Sequence, residues 1–470
     1  MSLPATVDQS AMRTTLAVPG ALKGLTPDGW LLFLTRFIRL FAYGSLSVIL
    51  VFYLVSMGLS ESQTGLLLSF TLAGDVAVSL FLTTWADRIG RRRMLIVGAV
   101  LMAAAGVAFA CTHNFLFLVV AGTLGVISPS GHEVGPFLSI EQAALSHVVP
   151  SEIRTEVFAW YALAGSLATA VGAFFGGTIT HILQKDAMTP ISSYRVVVVA
   201  YAALGVVLAI LFFRLTTATE VREPQEKPVR SLKAFFGVGR SHHVVLKLSS
   251  LFALDSFAGG FVIQSFAAYW FYLRFGVNPG TLGAIFFWAN VFAGISALLA
   301  SRLASRIGLV RTMVVTHLPS NVLLILVPLM PTVRLAIAVL LVRFSISQMD
   351  VPTRQSYTMA VVSPEERSAA GGITGVARTT GAAISPLFAG LLFGRPSLIN
   401  IPFFLAGGLK IAYDLLLYRA FVTIRPPEES AASVLSGGQG QDARMGRCRS
   451  RTAHRPLGSR GPRGRSDAQE

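Results

Sequence analysis

Hydrophobic positions along the chain gather into twelve long runs separated by short polar breaks. The runs lie near 29–57, 62–86, 93–112, 115–147, 156–183, 194–215, 245–273, 279–303, 309–330, 333–361, 368–394 and 397–421. Most are about 20 to 30 residues, enough to cross a hydrocarbon core of about 30 Å with some tilt. One long polar connection, 216–243, divides them six and six. The pattern predicts an all-α membrane protein with 12 transmembrane helices in two six-helix pseudo-symmetric halves. The expected organisation is a cytoplasmic N-terminal segment (1–28), a first half (29–215), a cytoplasmic central loop (216–243), a second half (244–421) and a disordered basic tail (422–470). The fourth run contains Pro129, Gly131, Gly135 and Pro136, and the tenth contains Pro352. Broken helices are therefore expected there, and at membrane depth they need protein or a cavity to satisfy the freed backbone groups.

Composition agrees. Of 470 residues, 53% are hydrophobic and only 13% charged, with a mean hydropathy of +0.63; a soluble domain carries about 25% charged residues. A soluble enzyme, a disulfide scaffold and a disordered protein are excluded. The net charge of +16 is explained by loop placement rather than by nucleic acid. With the N-terminus inside, the inner connections hold sixteen Lys/Arg, among them Arg88, Arg91, Arg92, Arg93, Arg302, Arg306 and Arg311, and the outer ones hold five. That asymmetry puts both termini in the cytoplasm, in a multi-pass protein of a plasma or bacterial inner membrane. Cys111 and Cys448 lie too far apart in kind and position for a disulfide framework or a metal site. The first 28 residues have no signal-peptide core.

The two halves repeat. TTWADRIGRRRML (83–95) matches SRLASRIGLVRTM (301–313), 218 residues on; RLFAYG (39–44) matches DSFAGG (255–260), and VVPSEIRT (148–155) matches VVSPEERS (361–368). The loop Ala86-Asp87-Arg88-Ile89-Gly90-Arg91-Arg92 resembles the signature of the major facilitator superfamily, with Thr83 and Trp85 replacing its first glycine and leucine. The second copy keeps Leu303, Ala304, Arg306, Ile307 and Gly308 but has Ser305 for the aspartate. The resemblance covers residues 29–421 and implies a secondary transporter with its site at the repeat interface near the midplane. It also suggests a cytoplasmic latch made by Asp87, Arg88, Gly90, Arg91, Arg93, Arg306 and Gly308, since the helix after Gly90 offers a positive dipole end to an acid. The fifth and eleventh runs read Ala168-x-x-x-Gly172-Ala173-x-x-Gly176-Gly177 and Gly381-x-x-x-Ser385-Pro386-x-x-Ala389-Gly390. That pattern resembles an antiporter motif of the superfamily, and close helix packing explains it as well.

Charges within the runs are the functional signal, because each costs about 2.5–3.5 kcal/mol at the bilayer centre even on the lenient scale. The acids are Asp75, Glu133, Glu141, Asp255, Asp350 and Asp414; the bases are Arg36, Arg39, Arg343, Arg354, Arg378 and Lys410. Arg39 corresponds to Asp255 in the repeat and Glu141 to Arg354, so equivalent positions carry opposite charges twice; Gln142 matches Gln355. Arg39, Glu141, Asp255 and Arg354 are expected to form the polar core of a central cavity, with Gln142, Gln355, Asp350 and Arg378 as further cavity residues. A buried carboxylate that loses its partner takes up a proton more readily, which makes Asp255 and Glu141 candidate proton carriers. Structural salt bridges are the competing reading. Lys410 and Asp414, four apart on one helical face, are expected to neutralise each other. His132 and Glu133 are expected near the outer mouth.

No phosphate loop, metal-ligand spacing or nucleophile arrangement is present, so no cofactor or metal and no enzyme activity are expected. The reading is a secondary active transporter working by alternating access, with proton-coupled export of a small organic or drug-like solute as the leading form. The alternatives are an importer or exchanger of an anionic metabolite and a transporter-like receptor or scaffold. Expected partners are the solute, protons and membrane lipid; nucleic acid is not expected, and a monomer is.

Overall fold

A computed structural model describes residues 22, 24–132, 135–150, 153–220, 241–363 and 366–422, without the side chains of Asp87, Arg88, Thr155 and Ser368. The expected basic tail, most of the central loop and Glu133 lie outside the described residues.

Twelve membrane-length segments follow one another: α1 (Pro27–Ser56), α2 (Glu61–Ile89), α3 (Arg91–Cys111), α4a (Phe115–Leu124) with α4b (Phe137–Val148), α5 (Arg154–Lys185) and α6 (Pro190–Phe213). The second half holds α7a (His242–Gly260) with α7b (Gln264–Phe275), α8 (Pro279–Ile307), α9 (Leu309–Leu326), α10a (Val333–Ser347) with α10b (Asp350–Ala360), α11 (Arg367–Phe393) and α12 (Ile401–Phe421). No strand occurs among the described residues. Among the described residues, eleven segments are long and apolar enough to cross a membrane; the remaining crossing is the divided α4, of which α4a is a short apolar helix.

The breaks follow from the residues in them. In α4, Gly131 and Gly135 take φ of +73° and +81°, a left-handed backbone that glycine adopts without penalty, between Pro129 and Pro136. In α10, Pro352 lacks an N–H and its ring crowds the carbonyl four residues back, Gln348, where the helix stops. At this break the Gln348 N–H donates to Ser296 Oγ at 3.3 Å. The α7 break at 261–263 follows Gly259-Gly260 and was not expected.

Small residues set the packing. A Cβ at Gly172 would lie 2.1 Å from the Phe41 carbonyl oxygen, and one at Gly176 2.4 Å from that of Ser45, so α5 meets α1 backbone to backbone. Ser45 Oγ donates to the Gly172 carbonyl at 2.9 Å. Across the halves, Gly177 faces Gly283 and Gly65 faces Gly390 in the same way. The repeated small-residue pattern is thus used for close packing.

The two halves are bonded at the end of the bundle that carries Gly58 and Gly276. There Gln264 Nε2 donates to Ser47 Oγ at 2.8 Å, Tyr269 OH to Glu61 Oε1 at 2.8 Å, and Ser265 N to the Pro129 carbonyl at 3.2 Å. The Phe52 ring meets Tyr269 and Tyr272 edge-on at 5.5 and 5.3 Å. The opposite, arginine-rich end carries Gly90 and Gly308.

Candidate functional site

α1 and α4b position the first charge pair. Arg39 Nη1 donates to Glu141 Oε1 at 2.7 Å and Nη2 to Oε2 at 2.9 Å. Thr35 Oγ1 adds a bond to Oε1 at 3.3 Å, and Tyr161 OH donates to Oε2. The Arg39 guanidinium also lies 4.5 Å over the Phe137 ring. Arg39 and Glu141 are both 0% exposed. Planar, two-pronged Arg–carboxylate bonding is among the strongest such contacts, and here its remaining acceptor capacity is filled.

The second pair has the same place in the other half and the reverse polarity. Arg354 Nη1, on α10b, donates to Asp255 Oδ2 of α7a at 2.8 Å, and Lys410 Nζ of α12 donates to Oδ1 at 2.5 Å. Asp350 lies 3.5 Å from Arg354, one turn away. Opposite charges at equivalent positions therefore arise from two bridges, one inside each half, in place of a single polar core shared across the axis.

The expected Lys410–Asp414 pair is corrected. Lys410 turns to Asp255, while Asp414 Oδ1 lies 2.8 Å from His317 Nδ1 and its Oδ2 accepts from Asn321 Nδ2 at 2.9 Å. Helical spacing allows an i,i+4 contact worth only a few tenths of a kcal/mol; partners on neighbouring helices supply fuller bonding. His317 had no sequence signal beyond being a lone polar ring in an apolar run.

Three adjoining cavities open around the second pair. One of about 350 Å³ is lined from both halves by Asp75, His132, Asp255, Asp350, Arg354 and Lys410, among others. A second, about 580 Å³, runs between α7a, α10b and α11 toward the arginine-rich end and reaches Gln355, Arg354 and Arg378. A third, about 210 Å³, reaches Gln264, Arg343 and Lys410. Asp255, Asp350, Arg354, Gln355 and Arg378 thus line cavities. Arg39 and Glu141 are sealed away from solvent, and Gln142 is half-buried on α4b outside the lining of these three. His132 is exposed into the cavity at the α4 break, deeper than the outer mouth expected for it.

Arg343 and Arg378 stand apart from the other cavity charges. Each has a buried Nε without a hydrogen-bond partner, and among the described residues neither pairs with a carboxylate. Arg378 replaces Gly165 of the first half, and Phe252 replaces Arg36. In the first half Arg36 fills the space over Gly165, with its Nε 2.7 Å from where a Cβ would be, and stacks on Tyr161 at 4.4 Å. In the second half the arginine comes from α11 and borders the cavity beside Phe252.

The residues expected in the latch lie on the matched turns after α2 and α8. Gly90 and Gly308 each close one helix and open the next, at φ of +113° and +87°. The Arg91 and Arg92 N–H groups donate to the Glu220 carboxylate at 2.7 and 3.1 Å. Arg91 Nη1 reaches the Ala143 and Thr219 carbonyls, and Arg93 the Ile89 carbonyl. Arg306 is exposed. The bonds described for this loop stay with the first half and the start of the central loop, and the Asp87 and Arg88 side chains lie outside the described residues. Glu220, about 130 positions away and invisible to local pattern, accepts from this helix N-terminus.

A profile of the Major Facilitator Superfamily matches residues 32–342 and again 248–459. The chain belongs to this superfamily. The chain is 31% identical over 421 residues to the membrane protein YJR124C of Saccharomyces cerevisiae, a match covering 84% of this chain and 94% of that one. A shorter likeness, 23% over 156 residues, links it to the quinolone resistance protein NorA of Staphylococcus aureus, covering 33% of this chain and 39% of NorA. The crystal structure of a bacterial homologue of the human lysosomal transporter Spinster, inward-facing and unoccupied, superposes with a TM-score of 0.61 at 15% identity, covering 86% of this chain and 96% of that one. This major facilitator protein is accordingly a multi-pass membrane transporter in family and fold.

Proposed function

We propose that the protein is a secondary active transporter that carries a small anionic organic solute by alternating access, with the solute held in the cavities of the second half. The observation that carries this reading is the pair of arginines, Arg343 and Arg378, that border the cavity without a carboxylate partner. A half-buried guanidinium without an acid recognises a carboxylate, sulfonate or phosphate oxygen through charge-assisted bonds. Apolar neighbours, Phe252 and Met359 in one cavity and Phe344 and Phe403 in another, suit an organic body on that anionic group. Arg354, Asp255 and Asp350 would order the site, and Gln355 would add a hydrogen bond. The sealed Arg39–Glu141 bridge fits a packing role better than a proton-carrying one.

With the arginine-rich end in the cytoplasm, the bonded Gly58/Gly276 end would be the outer gate and this conformation would be inward-open. The second reading is proton-driven export of a drug-like solute, which the partial likeness to NorA favours.

Flux into proteoliposomes separates the two. A panel of labelled organic anions and neutral or cationic compounds, with and without an imposed pH gradient, should show uptake of anions. Arg378→Gln should weaken that uptake by about tenfold or more, the equivalent of one charge-assisted hydrogen bond. Movement of only neutral or cationic solutes, unaffected by Arg378→Gln, would overturn the anion reading.

A further inference from the structure

His317 occupies a position that neither bridge requires. Its imidazole lies between two carboxylates: Nδ1 is 2.8 Å from Asp414 Oδ1 and Nε2 is 3.8 Å from Asp255 Oδ1. Asn321 holds the other Asp414 oxygen at 2.9 Å, and the Tyr413 ring confines the imidazole edge-on at 5.8 Å. An ionised carboxylate only accepts, so beside an ionised Asp414 the Nδ1 atom carries the proton and the Nε2 lone pair faces Asp255. The Asp255 oxygen it faces is the one Lys410 already holds at 2.5 Å.

We propose that His317 couples proton binding to anion binding by competing with Lys410 for Oδ1 of Asp255. The inference rests on the anion reading above. A proton entering from the cavity, which His317 lines, binds Nε2 and turns the ring into an imidazolium that can donate to Oδ1. Asp255 then keeps two cationic partners, His317 and Arg354, without Lys410. The released ammonium points into the cavities that Lys410 borders, where an anionic solute takes it. In the absence of a solute anion Lys410 returns to Asp255, and a proton on His317 is opposed by a neighbouring cation.

The other groups around the imidazole shape this exchange without replacing it. Asp350, Arg354 and Arg343 come from α10 and Arg378 from α11, all lining the same cavity. The charges of α8 near this helix, Arg302 and Arg306, lie in its last two turns. Because the coupling is a difference in binding free energy, it is reciprocal: the anion favours the proton as much as the proton favours the anion. Proton and anion therefore load together and cross in the same direction, as symport.

The test uses the purified full-length protein and anions that stay fully ionised between about pH 6.5 and 8.5, namely sulfate, a set of alkyl and aryl sulfonates, and monocarboxylates. Binding is read by thermal stabilisation across that range, and proton uptake on adding the anion is read in weak buffer with an indicator dye. The expected result is tighter binding as pH falls, approaching about tenfold per pH unit where each anion takes up one proton. His317→Gln should bind the anion only as weakly as the wild type does at the alkaline end of the range, with neither pH dependence nor proton uptake. Asp414→Asn, which leaves the imidazole in place, should shift the pH profile. Binding by wild type at a constant affinity with no proton uptake would overturn the coupling alone, as would an unchanged pH profile in His317→Gln. No binding of any anion at either pH would overturn the anion reading and the coupling with it. Proton uptake is measured on the wild type, so the result stands even where a variant fails to fold.

Discussion

Arg39 donates to both carboxylate oxygens of Glu141, and the bridge joins two helices of the same half. Its counterpart, Asp255 with Arg354, reverses the charges on the corresponding helices and also borders a cavity. One bridge is closed and the other is accessible, and the two should respond differently to the same kind of change.

Removing one partner of the closed bridge leaves a buried cation without compensation, at a cost of about 3–5 kcal/mol. Glu141→Gln should therefore lower the melting temperature of the detergent-solubilised protein sharply. The double replacement Arg39→Met with Glu141→Met should recover part of the loss, because no unpaired charge is left.

Asp255→Asn should show the opposite balance. The site is next to a cavity, so water can reach Arg354 and Lys410 once the carboxylate is gone, and the melting temperature should fall less than in Glu141→Gln. Flux per folded molecule should fall more. Paired melting curves and proteoliposome flux on both variants check the ordering.

At the Gly58/Gly276 end α2 of the first half meets α11 of the second backbone to backbone. A Cβ at Gly390 would lie 2.4 Å from the Glu61 carbonyl oxygen and 2.8 Å from the Gly65 Cα, both backbone atoms that cannot turn aside. Gly390→Ala should push the halves apart at that end. In a background without native cysteines, a cysteine at Ser130, which lines the cavity, should then react severalfold faster with an impermeant maleimide applied from that side.

Glu220 accepts the first two N–H groups of α3 at the positive end of the helix dipole. Glu220→Ala leaves those groups to water and should cost about 1 kcal/mol, the usual value of a lost cap. Glu220→Gln should cost less. Thermal unfolding of the two variants alongside wild type gives the comparison.

Hydropathy runs located all twelve crossings to within a few residues, because a bilayer-spanning helix must be apolar along its length whatever it packs against. Pro352 and the Pro129–Pro136 stretch likewise marked two of the three breaks, since a missing N–H acts locally. The α7 break escaped notice: Gly259-Gly260 resembles ordinary small-residue packing, and Gly260 does pack within 2.0 Å of Ser385 Oγ for a notional Cβ.

From the sequence alone came the membrane class, the six-plus-six repeat, the inventory of buried charge and the opposite signs at equivalent positions. These depend on composition and spacing, which are written along one dimension. Which charge meets which was decided only by the tertiary structure. Lys410 sits one turn from Asp414 yet bonds Asp255, and Asp414 bonds His317, because helices that are distant in sequence bring their side chains closer and at better angles than one helical turn allows. The same packing sealed Arg39 and Glu141 and left Arg343 and Arg378 facing open space, a distinction of depth and neighbours that no pattern of residue types along the chain contains.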